Sequence, residues 1–404
     1  MIKAERGTKD VFDEQMLKFE KIERAGREVF SSANVQKIST PIFEVTELFA
    51  RGVGDSTDIV NKEMYTFKIH EGNSLTLRPE NTAGVVRAYI EHGFSRISPP
   101  QKFWYFGPMF RYERPQAGRQ RQFHQMGVEI FGSDSPYTDI EVITLAINIL
   151  KKLGLNDLEV EINSLGCAKC RDNYKTAIKG VLKPYLDKLC PDCNMRYEKN
   201  PLRILDCKCE ECQRIFALDN VKEVIFSDFI CDECKEQFDI ICNELSALGV
   251  KYNVNKLLVR GLDYYNRLVF EIKSNNLGSQ NAVIGGGRYD GLVGQLGGDA
   301  TPAVGWALGV ERLASLIPAM EAEKLEYFVV SKYTTEAFKT VCKLRESGKS
   351  ADFDPKSRKF NKQLEKASKV AKYAVIIGED EIAQGFYTVK NLETGEQMQK
   401  KELF

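Results

Sequence analysis

Gly107-Pro108-Met109-Phe110-Arg111-Tyr112-Glu113-Arg114-Pro115-Gln116-Ala117-Gly118-Arg119-Gln120-Arg121-Gln122-Phe123-His124-Gln125 is the stretch on which the fold turns. Strand-like apolar runs flank it, at 102–106 and 126–131. Its arginines stand beside a carboxylate and aromatic rings. A planar guanidinium meets phosphate oxygens with paired hydrogen bonds, so such a stretch suits an anionic ligand held by side chains. No backbone phosphate cradle competes with it. The sequence has neither G-x-x-x-x-G-K-[ST] nor a convincing G-x-G-x-x-G between strand and helix. One such group alone also fits a surface salt bridge on a strand. Three further groups repeat the pattern, Arg78-Pro79-Glu80-Asn81-Thr82, Arg260-Gly261-Leu262-Asp263-Tyr264-Tyr265 and Gly309-Val310-Glu311-Arg312-Leu313. All four together are harder to dismiss as surface ion pairs; if phosphates bind here, side chains must hold them.

Outward from that stretch, apolar positions at helical spacing (Met16, Leu17, Phe19, Ile22, Val29, Phe30) predict a helix over 14–30. The β-branched run 35–44 contains Pro41, which cannot donate to a ladder, so its strand should lie at an edge or end at the proline. Strand-like runs at 64–69, 74–77, 102–106 and 126–131, with hairpin-sized gaps, predict a largely antiparallel sheet. A helix over 135–153 and a strand over 158–163 follow. Beyond a cysteine-rich stretch, 257–272 and 283–284 read as strands and 303–317 as a closing helix. After a charged break at 321–326, strand and helix alternate over 327–377, which predicts a small α/β domain. The fold class is therefore α+β. A core at 1–165 and 251–320 is interrupted by an insertion at 166–250, and an α/β domain occupies 326–404.

Composition agrees with an ordinary globular protein. Of 404 residues, 43% are hydrophobic and 28% charged, and 57 basic residues balance 57 acidic ones. Overall charge does not advertise nucleic acid, although a neutral total can conceal a basic face. The start, Met1-Ile2-Lys3-Ala4-Glu5-Arg6, lacks the apolar core of a secretory signal. No run nears the roughly 20 apolar residues that span a bilayer. A cytoplasmic location is expected.

Ten of the eleven cysteines lie between Cys167 and Cys242. Four C-x-x-C pairs occur, Cys167/Cys170, Cys190/Cys193, Cys209/Cys212 and Cys231/Cys234, at intervals typical of zinc ribbons. In a reducing compartment they suit metal before disulfides. Eight thiolates would close two tetrahedral zinc sites; reduced thiols or a redox pair are the alternatives. Cys207 is a spare ligand, and Cys242 and Cys342 read as buried thiols. With three histidines in the chain, a histidine metal cluster is not expected, and His124 between Phe123 and Gln125 reads as loop support.

Taken in order, these stretches resemble the class II aminoacyl-tRNA synthetases, specifically the histidyl-tRNA synthetase family, over essentially the whole chain. Three signatures give the class: the helix, strand and proline ending at Pro41, the 107–125 stretch, and Gly305-Trp-Ala-Leu-Gly-Val-Glu-Arg312-Leu. Two give the amino acid, Leu258-Val-Arg-Gly-Leu-Asp-Tyr-Tyr265 and Gly285-Gly-Gly-Arg-Tyr-Asp-Gly-Leu292. The resemblance implies a homodimer, joined near Pro41, that uses ATP with Mg²⁺, L-histidine and tRNA(His) as substrates. It implies that Arg111 and Arg312 clamp the ATP phosphates, that Glu113, Arg119 and Arg121 help place nucleotide or tRNA end, and that Phe123 stacks on adenine. Glu80, Thr82 and Gln125 would hold the α-amino group, with Asn81 in the same loop. Glu129 and Tyr265 would read the imidazole, Tyr264 would line that pocket, and Arg260 would sit at the α-phosphate. The family commonly has glycine at position 81; asparagine tolerates positive φ, so a sharp turn would survive. The cysteine-rich stretch takes the place of the family's insertion domain, and the C-terminal α/β domain resembles its anticodon-binding domain. There the basic residues Lys349, Lys356, Arg358, Lys359, Lys362, Lys366, Lys369 and Lys372 suit a phosphate backbone or one solvated helix face.

Three competing readings share parts of this pattern. They are a non-catalytic regulatory subunit of histidine biosynthesis, a sensor that binds uncharged tRNA, and a class II synthetase for another amino acid.

Overall fold

The computed structural model describes every residue except 1, 55–56, 58, 70–71, 73, 116–117, 278–280, 357 and 404, so Gln116 and Ala117 of the quoted stretch lie outside the described residues. The chain forms two compact units, Met1–Met320 and Glu321–Phe404.

An eight-stranded sheet organises the first unit. Its spatial order is Gln36–Lys37, Gln101–Phe110, Gln122–Phe131, Ala303–Gly309, Ala282–Arg288, Asn266–Lys273, Glu159–Ser164 and Tyr252–Val254. Every pairing is antiparallel except the two outermost, which are parallel. Hairpin Gln101–Phe110/Gln122–Phe131 is paired from end to end, with Phe110 opposite Gln122. Alternation splits its side chains between two cores. Trp104, Met126, Val128 and Ile130 turn toward helices Asp13–Ser32 and Pro136–Lys152, whereas Phe103, Tyr105, Met109 and Phe131 turn toward helix Thr82–Glu91. On the first side Phe30 stacks on Trp104 at 5.2 Å and meets Trp306 at 5.9 Å, and the Trp306 indole donates to the Val142 carbonyl.

Pro41 does interrupt its strand. Gln36–Lys37 takes the sheet edge, and Phe43–Val45 joins a separate three-stranded antiparallel sheet with Ser74–Leu77 and Thr66–Lys68. Two expected elements change. The predicted closing helix over 303–317 is strand Ala303–Gly309 followed by helix Val310–Leu316. The strand predicted over 257–272 begins only at Asn266; 258–265 is a loop. Arg267, at a φ of +46°, turns that loop into the sheet, where the register shifts.

Helices Ala168–Leu182, Pro191–Lys199, Glu210–Phe216, Asp219–Phe226 and Asp232–Ala247 build the insertion. Its small core holds Ile178, Leu182, Ile204 and Val221. The last helix returns to the parent domain, burying Ile241 and Leu245 in the main core.

The second unit has strand order Ala351–Phe353, Leu325–Ser331, Ala371–Ile377, Tyr387–Asn391 and Gln397–Lys400, the first three parallel and the last two antiparallel. Helices Thr334–Glu346 and Phe360–Val370 cover its two faces. The expected α/β alternation is present, extended by a hairpin that the sequence reading did not include. Much of its basic stripe is paired, Lys349 with Glu326, Arg358 with Asp354, Lys366 with Asp352 and Lys369 with Glu365.

Candidate active site

Small residues floor the face of the sheet opposite the tryptophans. Val304, Trp306 and Leu308 point to the helices, which leaves Gly305, Ala307 and Gly309 on the other side, beside Gly285 and Gly287 in register. The glycines make room for charged groups. A Cβ at Gly285 would overlap the Arg260 guanidinium, and one at Gly305 would overlap Glu129 Oε2.

Above this floor lies a cavity of about 330 Å³. It gathers Glu80, Thr82, Arg111, Glu113, Arg119, Phe123, Gln125, Arg260, Tyr264, Tyr265 and Arg312, eleven of the predicted residues from four separate segments. Arg111 comes from the end of the hairpin strand; its Nε donates to the Pro79 carbonyl at 2.8 Å and its guanidinium lies 5.2 Å from the Phe123 ring centre. Arg312, on helix Val310–Leu316, donates to the carbonyls of Ala282 at 2.9 Å and Gly118 at 3.4 Å. Burial lowers its pKa, and Arg119 and Arg111 push in the same direction, because three guanidinium groups share one opening. Glu113 offsets part of this charge through an ion pair with Arg119 at 3.1 Å. Such a concentration of cations is balanced when a polyanion binds.

Arg260 is half-buried against Glu271, with which it forms an ion pair. Burial opposes its charge, but the Glu271 carboxylate and the Tyr265 and Tyr264 phenols outweigh that effect. Its Nε is buried and has no hydrogen-bond partner among the described residues. The same holds for the amide oxygen of Gln125. A buried unpaired acceptor costs about 1–3 kcal/mol, so Gln125 is set to receive a donor from a ligand. Glu80 lies nearby at the start of helix Thr82–Glu91, accepting the N–H groups of Thr82 and Ala83 at 2.8 and 2.9 Å. A carboxylate, an amide oxygen and the Thr82 hydroxyl therefore converge where an ammonium group would fit.

Three predicted residues are absent from the cavity lining. Asn81 faces backwards, its Oδ1 accepting from the Thr40 hydroxyl at 2.6 Å and from Arg78 at 3.3 Å. Its φ is −114°, so no left-handed turn exists here and the expected reason for tolerating asparagine does not apply. Arg121 lies over the Tyr112 ring at 4.1 Å and pairs with Glu5 at 3.3 Å. Glu129 sits behind the wall, 1% exposed, accepting from Thr82 at 2.7 Å, Tyr105 at 3.4 Å and Tyr289 at 2.5 Å. Burial pushes its carboxyl up to about 8, against the pull of these hydroxyls. Tyr264 and Tyr265, ring centres 4.6 Å apart, line the cavity.

Tyr105, Tyr289, Glu271 and Glu311 belong to this assembly and had no assigned role. Tyr289 and Glu311 lay inside quoted motifs; Tyr105 carried no local signal. Glu311 accepts the backbone N–H of His124 at 2.9 Å and lies 3.0 Å from its Nδ1, locking the Arg312 helix to the hairpin. His124, expected as loop support, stands within strand Gln122–Phe131 and links it to Glu311. Arg288, from one of the histidine-specific motifs, turns away from the cavity into a buried pair with Asp139 at 2.9 Å, joined by Asp290 at 3.1 Å.

In the insertion, thiols gather as Cys167, Cys170, Cys231 and Cys234, and as Cys190, Cys193, Cys207 and Cys212. Cys207 stands where Cys209 was expected. Cys242 and Cys342 are half-buried rather than buried.

An antiparallel sheet with one cavity arginine at the end of its long hairpin and another on the helix after a neighbouring strand is the core of a class II aminoacyl-tRNA synthetase. Comparison with known proteins narrows the class. A family model of histidyl-tRNA synthetase matches residues 7–170 and 204–313, and one of the anticodon binding domain matches 317–403. The histidine–tRNA ligase of Halothermothrix orenii is 47% identical over 98% of this chain and 96% of its own. That of Aquifex aeolicus is 47% identical over 99% and 98%. Among solved structures, apo histidyl-tRNA synthetase of S. aureus is 36% identical with a TM-score of 0.81, covering 99% of this chain and 97% of that one. A Bacillus halodurans protein named ATP phosphoribosyltransferase regulatory subunit/histidyl-tRNA synthetase is 22% identical with a TM-score of 0.65, over 88% and 93%, a likeness of fold alone. The chain belongs to the histidyl-tRNA synthetase family.

Proposed function

We infer that the chain is a histidine–tRNA ligase that activates L-histidine with ATP and transfers it to the 3′-terminal ribose of tRNA(His). The observation that carries this reading is the convergence of Arg111, Arg260 and Arg312 on one cavity with the unpaired Gln125 oxygen. In the first step a histidine carboxylate oxygen attacks the α-phosphorus; the bond to the bridging oxygen breaks and diphosphate leaves. Two anions must approach, so fixed cations offset their repulsion and the charge that develops. Arg111 and Arg312 hold the phosphates, Phe123 takes the adenine, and Arg260 faces the α-phosphate, with Glu113, Arg119 and Arg121 helping to place nucleotide or tRNA end. Mg²⁺, brought with the nucleotide, supplies further charge neutralisation. In the second step a ribose hydroxyl attacks the acyl carbon and AMP leaves.

Glu80, Thr82 and Gln125 hold the α-ammonium group, with Asn81 bracing their loop from behind. Tyr264, Tyr265 and Glu129 select imidazole, because a site built of buried hydrogen-bonding groups rejects side chains that leave them unpaired. Histidine-dependent exchange of pyrophosphate into ATP tests the reading. Exchange with histidine alone among the amino acids supports it, and its absence sinks it. The regulatory-subunit alternative rests on a likeness of fold at 22% identity, whereas relatives near 47% are named as ligases.

The protein acts as a cytoplasmic homodimer. No helix of the described residues is long and apolar enough to cross a membrane. Phe43, Val45 and Phe67 are exposed on the three-stranded sheet after Pro41, a surface suited to a second copy. The insertion, residues 166–250, contacts the acceptor arm of the tRNA and holds structural zinc in its cysteine clusters. The 326–404 unit reads the anticodon.

A further inference from the structure

The two thiol groups have the dimensions of metal centres. A tetrahedral zinc with Zn–S bonds of about 2.3 Å sets its sulfurs about 3.8 Å apart. Cys190 and Cys207 Sγ are 3.8 Å apart, Cys167 and Cys170 3.5 Å, and all four sulfurs of each group lie within 4.8 Å of one another. A disulfide needs about 2.05 Å, so these pairs are not disulfides. Sulfur ligation favours a soft or borderline ion over magnesium or calcium.

The backbone around them is equally specific. Each C-x-x-C pair places its first cysteine just before a helix and its second in the first turn. Helix N-termini favour negative charge, here thiolate. In the first group the bonds are reciprocal: Cys231 N–H donates to Cys170 Sγ at 3.1 Å and Cys167 N–H to Cys234 Sγ at 3.3 Å. In the second, Cys190 N–H donates to Cys212 Sγ at 3.3 Å. Cys209 contributes no sulfur; its N–H donates to Cys207 Sγ at 3.4 Å.

Resting on the reading of the insertion as a zinc-bearing module, we propose that it binds two zinc ions with distinct ligand sets. Cys167, Cys170, Cys231 and Cys234 hold one ion where the chain leaves and re-enters the catalytic domain; Cys190, Cys193, Cys207 and Cys212 hold the other inside the module. Cys209 is not a ligand. Each ion displaces four thiol protons, so binding tightens as pH rises.

Zinc content of the full chain, purified without added metal, tests the assignment. Two ions per chain are expected for the unaltered protein and for Cys209→Ser, and one for Cys207→Ser. Two ions in Cys207→Ser with one lost in Cys209→Ser overturns the ligand assignment and leaves zinc itself standing. A folded, active, zinc-free protein overturns both, while pyrophosphate exchange judges the ligase reading separately. Alkylation of the unaltered protein avoids reliance on variants that fail to fold. Cys231 is exposed and Cys209 half-buried, so burial alone predicts that Cys231 reacts first. Metal predicts the reverse, with Cys231 protected until a chelator is added. Rapid labelling of Cys231 before chelation overturns the proposal.

Discussion

Asn200 donates its side-chain amide to Asp263 at 2.7 Å, tying the insertion to the loop that carries Arg260, Tyr264 and Tyr265. Arg171, next to Cys170, adds a second tie to the Asp263 carbonyl at 3.2 Å. Two elements of the module therefore hold one residue of the active-site loop.

Replacing Asn200 with alanine should loosen that loop. A hydrogen bond to a charged group contributes about 1.5–3 kcal/mol, so kcat/KM for histidine should fall roughly tenfold or more. Steady-state exchange kinetics read the effect. An unchanged kcat/KM for histidine, with the protein still folded, rules out a positioning role.

Gly285→Ala is expected to behave like loss of Arg260, because the new Cβ occupies the space of its guanidinium. Removing one donor to transition-state charge slows catalysis about 10²–10³-fold. Adenylate formation should drop by that order in both Gly285→Ala and Arg260→Gln, with histidine binding far less affected. Calorimetry beside single-turnover kinetics separates the two quantities, and equal losses in both would refute the role given to Arg260.

Glu129 sets a pH dependence. Burial raises its pKa from 4.5 to about 8 in the folded protein. Between these values the folded state keeps a proton that the unfolded state has lost, so its contribution to stability falls as pH rises through that window and levels off above it. Asp139, raised by burial to about 6, acts with the same sign at lower pH. Urea denaturation of Glu129→Gln should therefore show a shallower decline between pH 5 and 8 than the parent. Parallel curves would show that Glu129 does not titrate there.

Arg288 should prove structural. Leaving Asp139 buried without it should cost about 3–5 kcal/mol. Arg288→Met is expected to lower the urea midpoint accordingly, and adding Asp139→Leu should recover much of the loss. Failure of the double variant to recover would point to the Asp290 and carbonyl contacts instead.

The exposed face of the three-stranded sheet predicts subunit contact. Phe43→Ser with Phe67→Ser should shift the protein from dimer to monomer in sedimentation equilibrium. A dimer of unchanged affinity would place the interface elsewhere.

Where side chains report their own neighbours, the fold was legible. The helix over 14–30 shows because Phe19, Ile22 and Phe30 recur on one face, and Pro41 marks a strand break by chemistry that no context overrides. Ala303–Gly309 does not look like a strand because small residues occupy its site face; Gly305 and Gly309 look like neutral spacers, and the alternation with Val304, Trp306 and Leu308 disappears into an apolar run. The loop 258–265 is rich in apolar and aromatic residues because it lines a cavity, which mimics a strand. In the site, charged residues inside motifs are legible, whereas Tyr105 is not: it faces Gly127 in the ladder and reaches Glu129, the partner of Phe103, diagonally, a relationship that only the strand register creates. Cys207 was overshadowed by Cys209 because C-x-x-C spacing describes a local turn, while the choice between two nearby sulfurs is made by the tertiary path of the chain.

Ahead of the returning helix Asp232–Ala247, the part of the insertion between Gly166 and Cys231 leaves and comes back at a single point, with Gly166 against Cys170 and Ile230, and with Cys167 and Cys231 in one sulfur cluster. A segment whose ends already touch adds little closure penalty when its length changes, about 0.6 kcal/mol for each doubling. That junction is a natural graft point. An unrelated domain with adjacent termini, spliced in there, would leave the strand pairing of Glu159–Ser164 with Asn266–Lys273 undisturbed, but it would have to replace the ties of Asn200 and Arg171 to Asp263 to keep the cavity loop in place.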